Sequence, residues 1–342
     1  MANTGTAVRP FGMRDKLGYM FGDFGNDFTF MLSSSFMMVF YTDIMGVPAG
    51  IVGLLMMVAR FADAFTDVAM GQIVDRAKPT KDGRFRPWIK RMCGPVAIAS
   101  FLIYQSEFAG MPMAFKVVWM FVTYLLWGSV FYTSINIPYG SMASAISPEA
   151  NDRTQLSTFR SIGATLANLV IGTATPLLAY ETVNGAPVLS GSRMLVMAGL
   201  FSVCAIICYI LCFNLTTERV VIPAKTEKFE PVVLFKRIFT SRSLLGIILA
   251  ALCLLLTMLT MTGMNPYIFP YYFKNTAAQS AVAMCSSITS LVVVAPLATM
   301  LASKIGKKET AIAGSLFGAI VYLICFILHP ESGWVYLGFY TV

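Results

Sequence analysis

Ionisable side chains stand inside long apolar runs of this sequence, where a charge is energetically unfavourable. Six of them share this setting: Asp23, Asp27, Arg60, Asp63, Asp67 and Arg160. Charged groups at membrane depth are rare, and they mark solute or ion sites or pair with one another. Each of the six is therefore a candidate for binding chemistry.

Two of these acids are spaced to act together. Asp63 and Asp67 are four residues apart and therefore share one face of a helix. At about 1.5 Å per residue they lie roughly 18 and 12 Å from Asp75, well inside the hydrocarbon. Two carboxylates that close repel each other unless a cation lies between them or one of them is protonated. The pattern predicts a site for Na⁺, Li⁺ or H⁺, completed by oxygens of Thr133 and Asn136.

The same residues also allow a purely structural interpretation. Arg60 precedes Asp63 by three residues, so the two side chains can form a salt bridge within one helix. One guanidinium balances one carboxylate, which leaves Asp67 and the more distant Asp27 unexplained. The sequence favours the cation site but leaves both interpretations open.

The composition indicates what kind of molecule positions these groups. Of the 342 residues, 57% are hydrophobic and 12% are charged, and the mean hydropathy is +0.71. Too few polar side chains remain to cover a soluble globule of this size. Seven cysteines in apolar runs exclude a disulfide scaffold, and basic residues scattered between those runs exclude a nucleic-acid partner. The sequence predicts an all-α polytopic membrane protein.

No catalytic constellation accompanies the acids. The single histidine, His329, adjoins a proline at a helix end, which does not suit a Ser/His/Asp site. Cys204, Cys208 and Cys212 repeat every four residues, but cysteine is a common small apolar residue in such helices. We expect no enzyme, no cofactor other than the coupling ion, and no metal beyond Na⁺ at the paired acids.

Nine runs are long enough to span a bilayer, whose core of about 30 Å needs roughly 20 apolar residues. The predicted helices are 17–42, 49–74, 92–109, 114–145, 155–180, 194–214, 244–273, 279–302 and 310–328. Apolar sequence resumes at Gly333, and Val342 is its tenth residue, so we expect the second set of helices to be incomplete. Residues 1–16 are polar and basic, so the first helix itself is expected to act as the insertion signal.

The distribution of Lys and Arg predicts orientation and domains. Basic residues concentrate before the first helix and in the second, sixth and eighth loops, so these segments are expected in the cytoplasm. The polar stretch 216–243 is expected to link a six-helix bundle, 1–215, to a second bundle, 244–342, truncated after about three helices. Two parallel six-helix halves around a midplane site describe a common transporter architecture.

Two proline-containing motifs interrupt the seventh helix near its outer end. They are Asn265-Pro266-Tyr267 and Pro270-Tyr271-Tyr272. Their aromatic rings either anchor the helix at the membrane interface or line a solute cavity, and the sequence does not decide between the two.

Five motifs in the first six helices, in matching order and spacing, resemble the glycoside–pentoside–hexuronide:cation symporters, a melibiose-carrier-like family of the major facilitator superfamily. They are KLGYMFGDFGNDF at 16–28, RFADAFTD at 60–67, DGRFRPW at 82–88, NIPY at 136–139 and STFRSIG at 157–163. The resemblance implies a major-facilitator fold, with two six-helix halves, and alternating-access import of a sugar together with Na⁺ or H⁺. It also implies a multi-pass protein of the cell inner membrane with a cytoplasmic N-terminus.

The resemblance also assigns roles to residues of this sequence. The implied cation ligands are Asp63, Asp67, Thr133 and Asn136. The implied sugar-binding residues are Asp27, Tyr132, Asn136 and Arg160. The implied gating or structural residues are Arg60, Gly71, Asp75, Arg76, Gly83 and Arg84. A carboxylate that accepts from two hydroxyls and a guanidinium that donates in a fork suit sugar recognition independently.

The sequence departs from the melibiose carriers at three positions. Asn136 stands where they have an acid, Gly140 where a tryptophan stacks on the sugar, and Thr66 where an asparagine separates the two helix-two acids. The loss of one carboxylate favours a proton, or a glycoside or uronide other than a galactoside. The expected partners are the sugar, the cation and the bilayer, with the chain as a monomer. A lysolipid carrier of the same fold and a non-transporting membrane sensor are the alternatives.

Overall fold

The computed structural model describes residues 9–222 and 240–341, and in these residues the chain is helical except for loops and one short hairpin. The helices are α1 Met13–Val39, α2 Ala49–Arg76, α3 Arg86–Ile103, α4 Met113–Ile146, α5 Ala150–Leu178, α6 Gly191–Leu215, α7 Arg242–Tyr272, α8 Thr276–Ile305, α9 Lys307–Leu328 and α10 Gly333–Thr341. The hairpin joins β1 Tyr180–Val183 to β2 Ala186–Leu189.

Seven helices among the described residues are long and apolar enough to cross a membrane, namely α2 and α4 to α9. The first and third predicted spans also form helices, but they are more polar. Asp23 and Asp27 stand in the middle of α1, and α3 begins with three basic residues, Arg86, Lys90 and Arg91. α1 is covered by protein along much of its length because it packs against both α5 and α6.

Small residues bring α1 close to its neighbours. A Cβ on Gly22 would collide with the Tyr139 ring of α4, and one on Gly163 of α5 would lie 2.5 Å from the Met20 carbonyl oxygen. The Tyr139 hydroxyl donates to the Tyr19 carbonyl oxygen at 2.7 Å, and the two rings stack at 4.6 Å. These contacts fix the rotation of α1, and therefore the direction in which its two acids point.

The two ends of the bundle are built differently. At the end where α1 continues into a π-helical turn, Phe40–Ile44, the β-hairpin covers α7; we call this the Asp43 end. At the opposite end, the loop before α3 packs under residues 216–222, which follow α6; we call this the Arg84 end. The large core lies in the first 222 residues, while a small core of Phe269, Ala278 and Val282 holds α7 to α8.

Most predicted boundaries agree with the observed helices to within a few residues, and α3 differs most. It begins at Arg86 rather than at 92 and ends at Ile103 rather than at 109. A 3-10 turn, Ser106–Gly110, occupies the last part of the predicted helix. The basic residues predicted for the linker, Lys225, Lys228, Lys236 and Arg237, lie outside the described residues. The division at 216–243 therefore stays a prediction.

Candidate functional site

The two acids of α2 face a cavity of about 280 Å³ that α4 closes on the opposite side. Thr133 donates to Asp67 Oδ1 at 2.8 Å, and Ser129 donates to Asp63 Oδ1 at 2.6 Å. Both hydroxyls come from the region of α4 that contains a π-helical segment, Leu126–Tyr132. Asp63, Asp67 and Thr133 line the cavity, while Ser129 is buried beside it. Oxygen ligands of this kind suit a hard monovalent cation.

The structure contains features of both interpretations of these acids. Arg60 Nη1 lies 3.2 Å from Asp63 Oδ2, as the salt-bridge interpretation predicts. Asp67, in contrast, has no basic partner within salt-bridge distance among the described residues, and it is exposed to the cavity. One carboxylate is thus balanced and the other is available to a cation.

Asn136 lines the same cavity, but part of its amide is already engaged. Asn26 of α1 donates to Asn136 Oδ1 at 3.3 Å, and the Tyr209 hydroxyl of α6 donates to Asn26 Oδ1 at 2.8 Å. This chain of hydrogen bonds connects three helices. It makes Asn136 a link between the cavity and α1.

A second charged cluster lies on α1 and α5. Arg160 Nε donates to Asp23 Oδ1 at 2.9 Å, and the guanidinium lies 5.6 Å from the centre of the Tyr139 ring. Asp23 is buried, whereas the Arg160 side chain is half-exposed. The sequence analysis counted Asp23 among the candidate charges but gave solute-binding roles to Asp27 and Arg160 only, so the pairing of Asp23 with Arg160 was missed.

Asp27 lies one helical turn beyond Asp23 and is 9% exposed. The charged groups that act on it electrostatically are Asp23 and Arg160, so the three form one cluster. Tyr132 lines the first cavity, where its ring stacks on Phe30 at 5.7 Å, and the charges of Asp27, Asp23 and Arg160 also act on it. The structure therefore brings Asn136 to the α2 acids and Asp27 and Arg160 to a second cluster, with Tyr132 between the two.

Five of the six predicted gating residues lie towards the Arg84 end, whereas Arg60 lines the cavity between α2 and α4. Arg84 is 5% exposed and donates to the carbonyl oxygens of Val74, at 2.9 Å, and of Asp75. Gly83 has a φ of +106°, and a Cβ there would lie 2.5 Å from the Glu218 carboxylate. Only a glycine fits this position without strain.

Glu218 was missed by the sequence interpretation. Its carboxylate accepts hydrogen bonds from the backbone N–H groups of Arg84, Phe85 and Arg86 at 2.7 to 2.8 Å, and so caps α3. Gly71 and Arg76 do not join this arrangement: a Cβ on Gly71 would meet no atom within 4 Å, and Arg76 is exposed.

At the Asp43 end, hydrogen bonds join the two halves. Thr42 and Tyr267 are linked through their hydroxyls at 2.9 Å, and Tyr271 donates to the Asp43 carboxylate. The Tyr180 hydroxyl donates to the Pro266 carbonyl oxygen at 3.2 Å. The proline-containing motifs of α7 thus bind α1 and the hairpin, which is a role outside the two that the sequence left open.

Comparison with known proteins decides the family. Residues 18–342 match the model of a family described as MFS/sugar transport protein. The chain belongs to this family. Its members are transporters, so the prediction that this chain is not an enzyme is confirmed, as is the resemblance to sugar:cation symporters.

Two relatives and one solved structure illustrate the similarity. The chain is 30% identical over 314 residues to the glucuronide carrier protein homolog of Escherichia coli (strain K12), covering 92% of this chain and 67% of that protein. It is 30% identical over 315 residues to the isoprimeverose transporter of Lactiplantibacillus pentosus, covering 91% of this chain and 63% of that protein. A crystal structure of a D-xylose-proton symporter matches with a TM-score of 0.57 at 14% identity, covering 96% of this chain and 77% of that one. The predicted major-facilitator fold is therefore confirmed.

Proposed function

We propose that this protein imports a sugar by alternating access in symport with a monovalent cation, Na⁺, Li⁺ or H⁺. The observation that carries the proposal is Asp67, a carboxylate in the cavity between α2 and α4 that has no basic partner within residues 9–222 and 240–341. The names of the relatives support a sugar as the solute. They include an anionic solute, a glucuronide, and a neutral one, isoprimeverose.

The coupling follows from the energetics of charge in a membrane. In our proposal the cation binds between Asp63 and Asp67 and removes their mutual repulsion, with Ser129 and Thr133 completing its shell. A carrier loaded with only one of its two solutes keeps an unpaired charge in a medium of low dielectric constant. Such a state is unfavourable for the conformational change that moves the site across the membrane.

The solute would bind beside Asp27 and Arg160. A carboxylate accepts from two neighbouring hydroxyls and a guanidinium donates in a fixed fork, which together suit a sugar ring. The link Asn26–Asn136 connects α1, which carries Asp27, to α4, which carries Thr133. Binding of the cation would thereby orient the helix that binds the sugar.

The orientation follows from the basic loops. We place the protein in the inner membrane, with its N-terminus and the Arg84 end in the cytoplasm. The Asp43 end then faces outward. The hydrogen bonds at the Asp43 end then close the outer side, so this conformation corresponds to the inward-facing state. We further propose that the chain acts as a monomer without a cofactor.

The proposal is tested by uptake into proteoliposomes that contain the full-length carrier. A panel of glycosides, pentosides and hexuronides is offered under an imposed Na⁺ gradient, an imposed pH gradient, or neither. We expect accumulation of at least one member above its equilibrium level under one of the two gradients. Transport of lysolipids alone would favour a lipid carrier, and solute binding without flux would favour a sensor; either result would contradict the proposal.

A further inference from the structure

We propose that the solute site selects uncharged glycosides over uronides, and that Asp23 sets this selectivity by balancing Arg160. The inference rests on the proposed function and narrows its substrate class. It concerns a residue of α1 that points into the cluster formed with α5.

The guanidinium of Arg160 is occupied before any solute arrives. Its Nε donates to Asp23 Oδ1 at 2.9 Å, and the Asp23 side chain is only 8% exposed. A buried carboxylate at this distance holds the guanidinium in place and balances its charge. Stacking over the Tyr139 ring, at 5.6 Å, restricts it further. Arg160 therefore offers its remaining N–H groups as hydrogen-bond donors rather than an unbalanced positive charge.

Asp27 gives the cluster an excess of negative charge. Its charged neighbours are Asp23, which repels it, and Arg160, which Asp23 already balances. Within the described residues no side chain or backbone group donates a hydrogen bond to the Asp27 carboxylate, although it is largely buried. Solute hydroxyls can supply those missing donors, whereas a solute carboxylate would add a second unbalanced negative charge.

The cation site does not reverse this balance. The two negative charges of Asp63 and Asp67 exceed the single positive charge of Arg60. A bound monovalent cation therefore balances the remaining negative charge of the α2 acids. It neutralises its own ligands and leaves no positive charge for an anionic solute. An uncharged sugar is therefore the solute that leaves the fully loaded site closest to neutral.

Asp23 is a positioning residue in this scheme, because it acts on the solute through Arg160. In the Asp23→Asn variant only Asp27 remains to balance Arg160, so the cluster loses its excess negative charge and a solute carboxylate no longer adds to such an excess. The expected consequence is a change in the preference between neutral and anionic solutes. A purely structural role would lower the transport of both solutes by the same factor.

The experiment compares matched pairs of solutes in proteoliposomes of the full-length carrier. Each pair has the same ring and differs at C6 only, such as methyl glucoside with methyl glucuronide and methyl galactoside with methyl galacturonide. For the wild-type carrier we expect initial uptake of the better neutral member to exceed that of its uronide at least tenfold. We expect Asp23→Asn to reduce this ratio at least tenfold and Asp23→Glu to keep it. Asp23→Ser serves as a second uncharged variant if Asp23→Asn does not fold.

Different outcomes would overturn the proposed selectivity and the proposed function. Wild-type preference for the uronides, or a ratio unchanged in a folded neutral variant, would overturn the inference while cation-driven sugar transport stands. Failure of every sugar in the panel to accumulate under any cation gradient would instead overturn the proposed function.

Discussion

At the residue scale, the hydroxyls of α4 distinguish the two acids of α2. Ser129 donates to Asp63, which also pairs with Arg60. Thr133 donates to Asp67, which pairs with no basic side chain in the part of the chain that the structure describes. A hydrogen bond to an ionised group contributes about 1.5–3 kcal/mol. Removal of either hydroxyl should therefore weaken the binding of a cation without altering the fold.

Ser129→Ala is a direct test of this contribution. Since Asp63 loses its donor at 2.6 Å and the proposed cation loses a ligand, we expect the cation concentration for half-maximal uptake to rise roughly tenfold, equivalent to about 1.4 kcal/mol. The measurement is sugar uptake against cation concentration. Ser144→Ala is the matched control, because Ser144 lies on the same helix and donates to the Ser141 carbonyl oxygen instead. An equal effect in both variants would contradict the role of Ser129.

Residue spacing predicted some of these contacts and not others. Asp63 and Asp67 are four residues apart, so they share a face on any helix. In the structure that face is turned towards α4, where Thr133 donates a hydrogen bond to Asp67. Asp23 and Asp27 also share a face, so spacing cannot decide which of them meets Arg160. That choice depends on the rotation of α1 against α5, which is set by packing at residues far apart in sequence.

At the element scale, the beginning of α3 depends on a residue more than a hundred positions away. The Glu218 carboxylate accepts three backbone N–H groups that would otherwise have no partner at a helix N-terminus. It also places a negative charge near the positive end of the helix dipole. Local sequence could not predict this boundary, because the cap comes from the segment after α6.

Glu218→Gln should lower the stability of this end of the bundle. A neutral amide retains one acceptor oxygen but loses the charge, and interactions of this kind contribute about 0.3–2 kcal/mol. We expect a fall of a few degrees in the thermal unfolding midpoint of the detergent-solubilised protein. Glu107→Gln, which changes an exposed acid at the Asp43 end, is the control and should leave the midpoint unchanged. A larger fall for the control would contradict the capping role.

The hairpin at the Asp43 end was missed, although the sequence contained a signal for it. Asn184 and Gly185 have φ values of 51° and 80°, and an Asn-Gly pair is the strongest short-range sign of a two-residue hairpin. The predicted helix 155–180 included the first residue of the first strand, Tyr180, so the start of the hairpin was assigned to the helix. The hairpin matters because it holds Tyr180 against Pro266.

Closure of the Asp43 end should depend on the tyrosines of α7. Tyr271→Phe removes the hydrogen bond to the Asp43 carboxylate and should favour opening at this end. A cysteine introduced at Ser35, which lines a cavity shared by both halves, reports such opening when the seven native cysteines are replaced by alanine. We expect an impermeant thiol reagent applied from the Asp43 side to label it several-fold faster.

The matched control for this measurement is Tyr272→Phe. Tyr272 is exposed, and its edge contact with the Phe273 ring is kept by phenylalanine. Its labelling rate should equal that of the parent chain. If Tyr271→Phe also labels at the parent rate, the hydrogen bond at Asp43 does not hold this end closed.

At the scale of the whole molecule, two charged clusters lie within the first half of the chain. The acids of α2 would bind the cation, the cluster of α1 and α5 would bind the sugar, and the Asn26–Asn136 link connects them. The composition and the spacing of apolar runs predicted the polytopic helical fold, and the motifs predicted the family. The contacts between the halves at Thr42, Asp43 and Tyr180 could not be predicted, since they arise only when distant helices meet.

The central claim is that Asp67 holds the coupling cation, and Asp67→Asn tests it most directly. The amide carries no negative charge for a cation to neutralise. The cation gradient should therefore no longer drive accumulation of the sugar. The measurement is sugar accumulation in proteoliposomes under an imposed cation gradient, with Asp82→Asn, an exposed acid in the loop before α3, as the control. We predict that the control accumulates sugar as the unmodified carrier does, while Asp67→Asn reaches only the equilibrium level. Accumulation by Asp67→Asn at the level of the unmodified carrier would contradict the account.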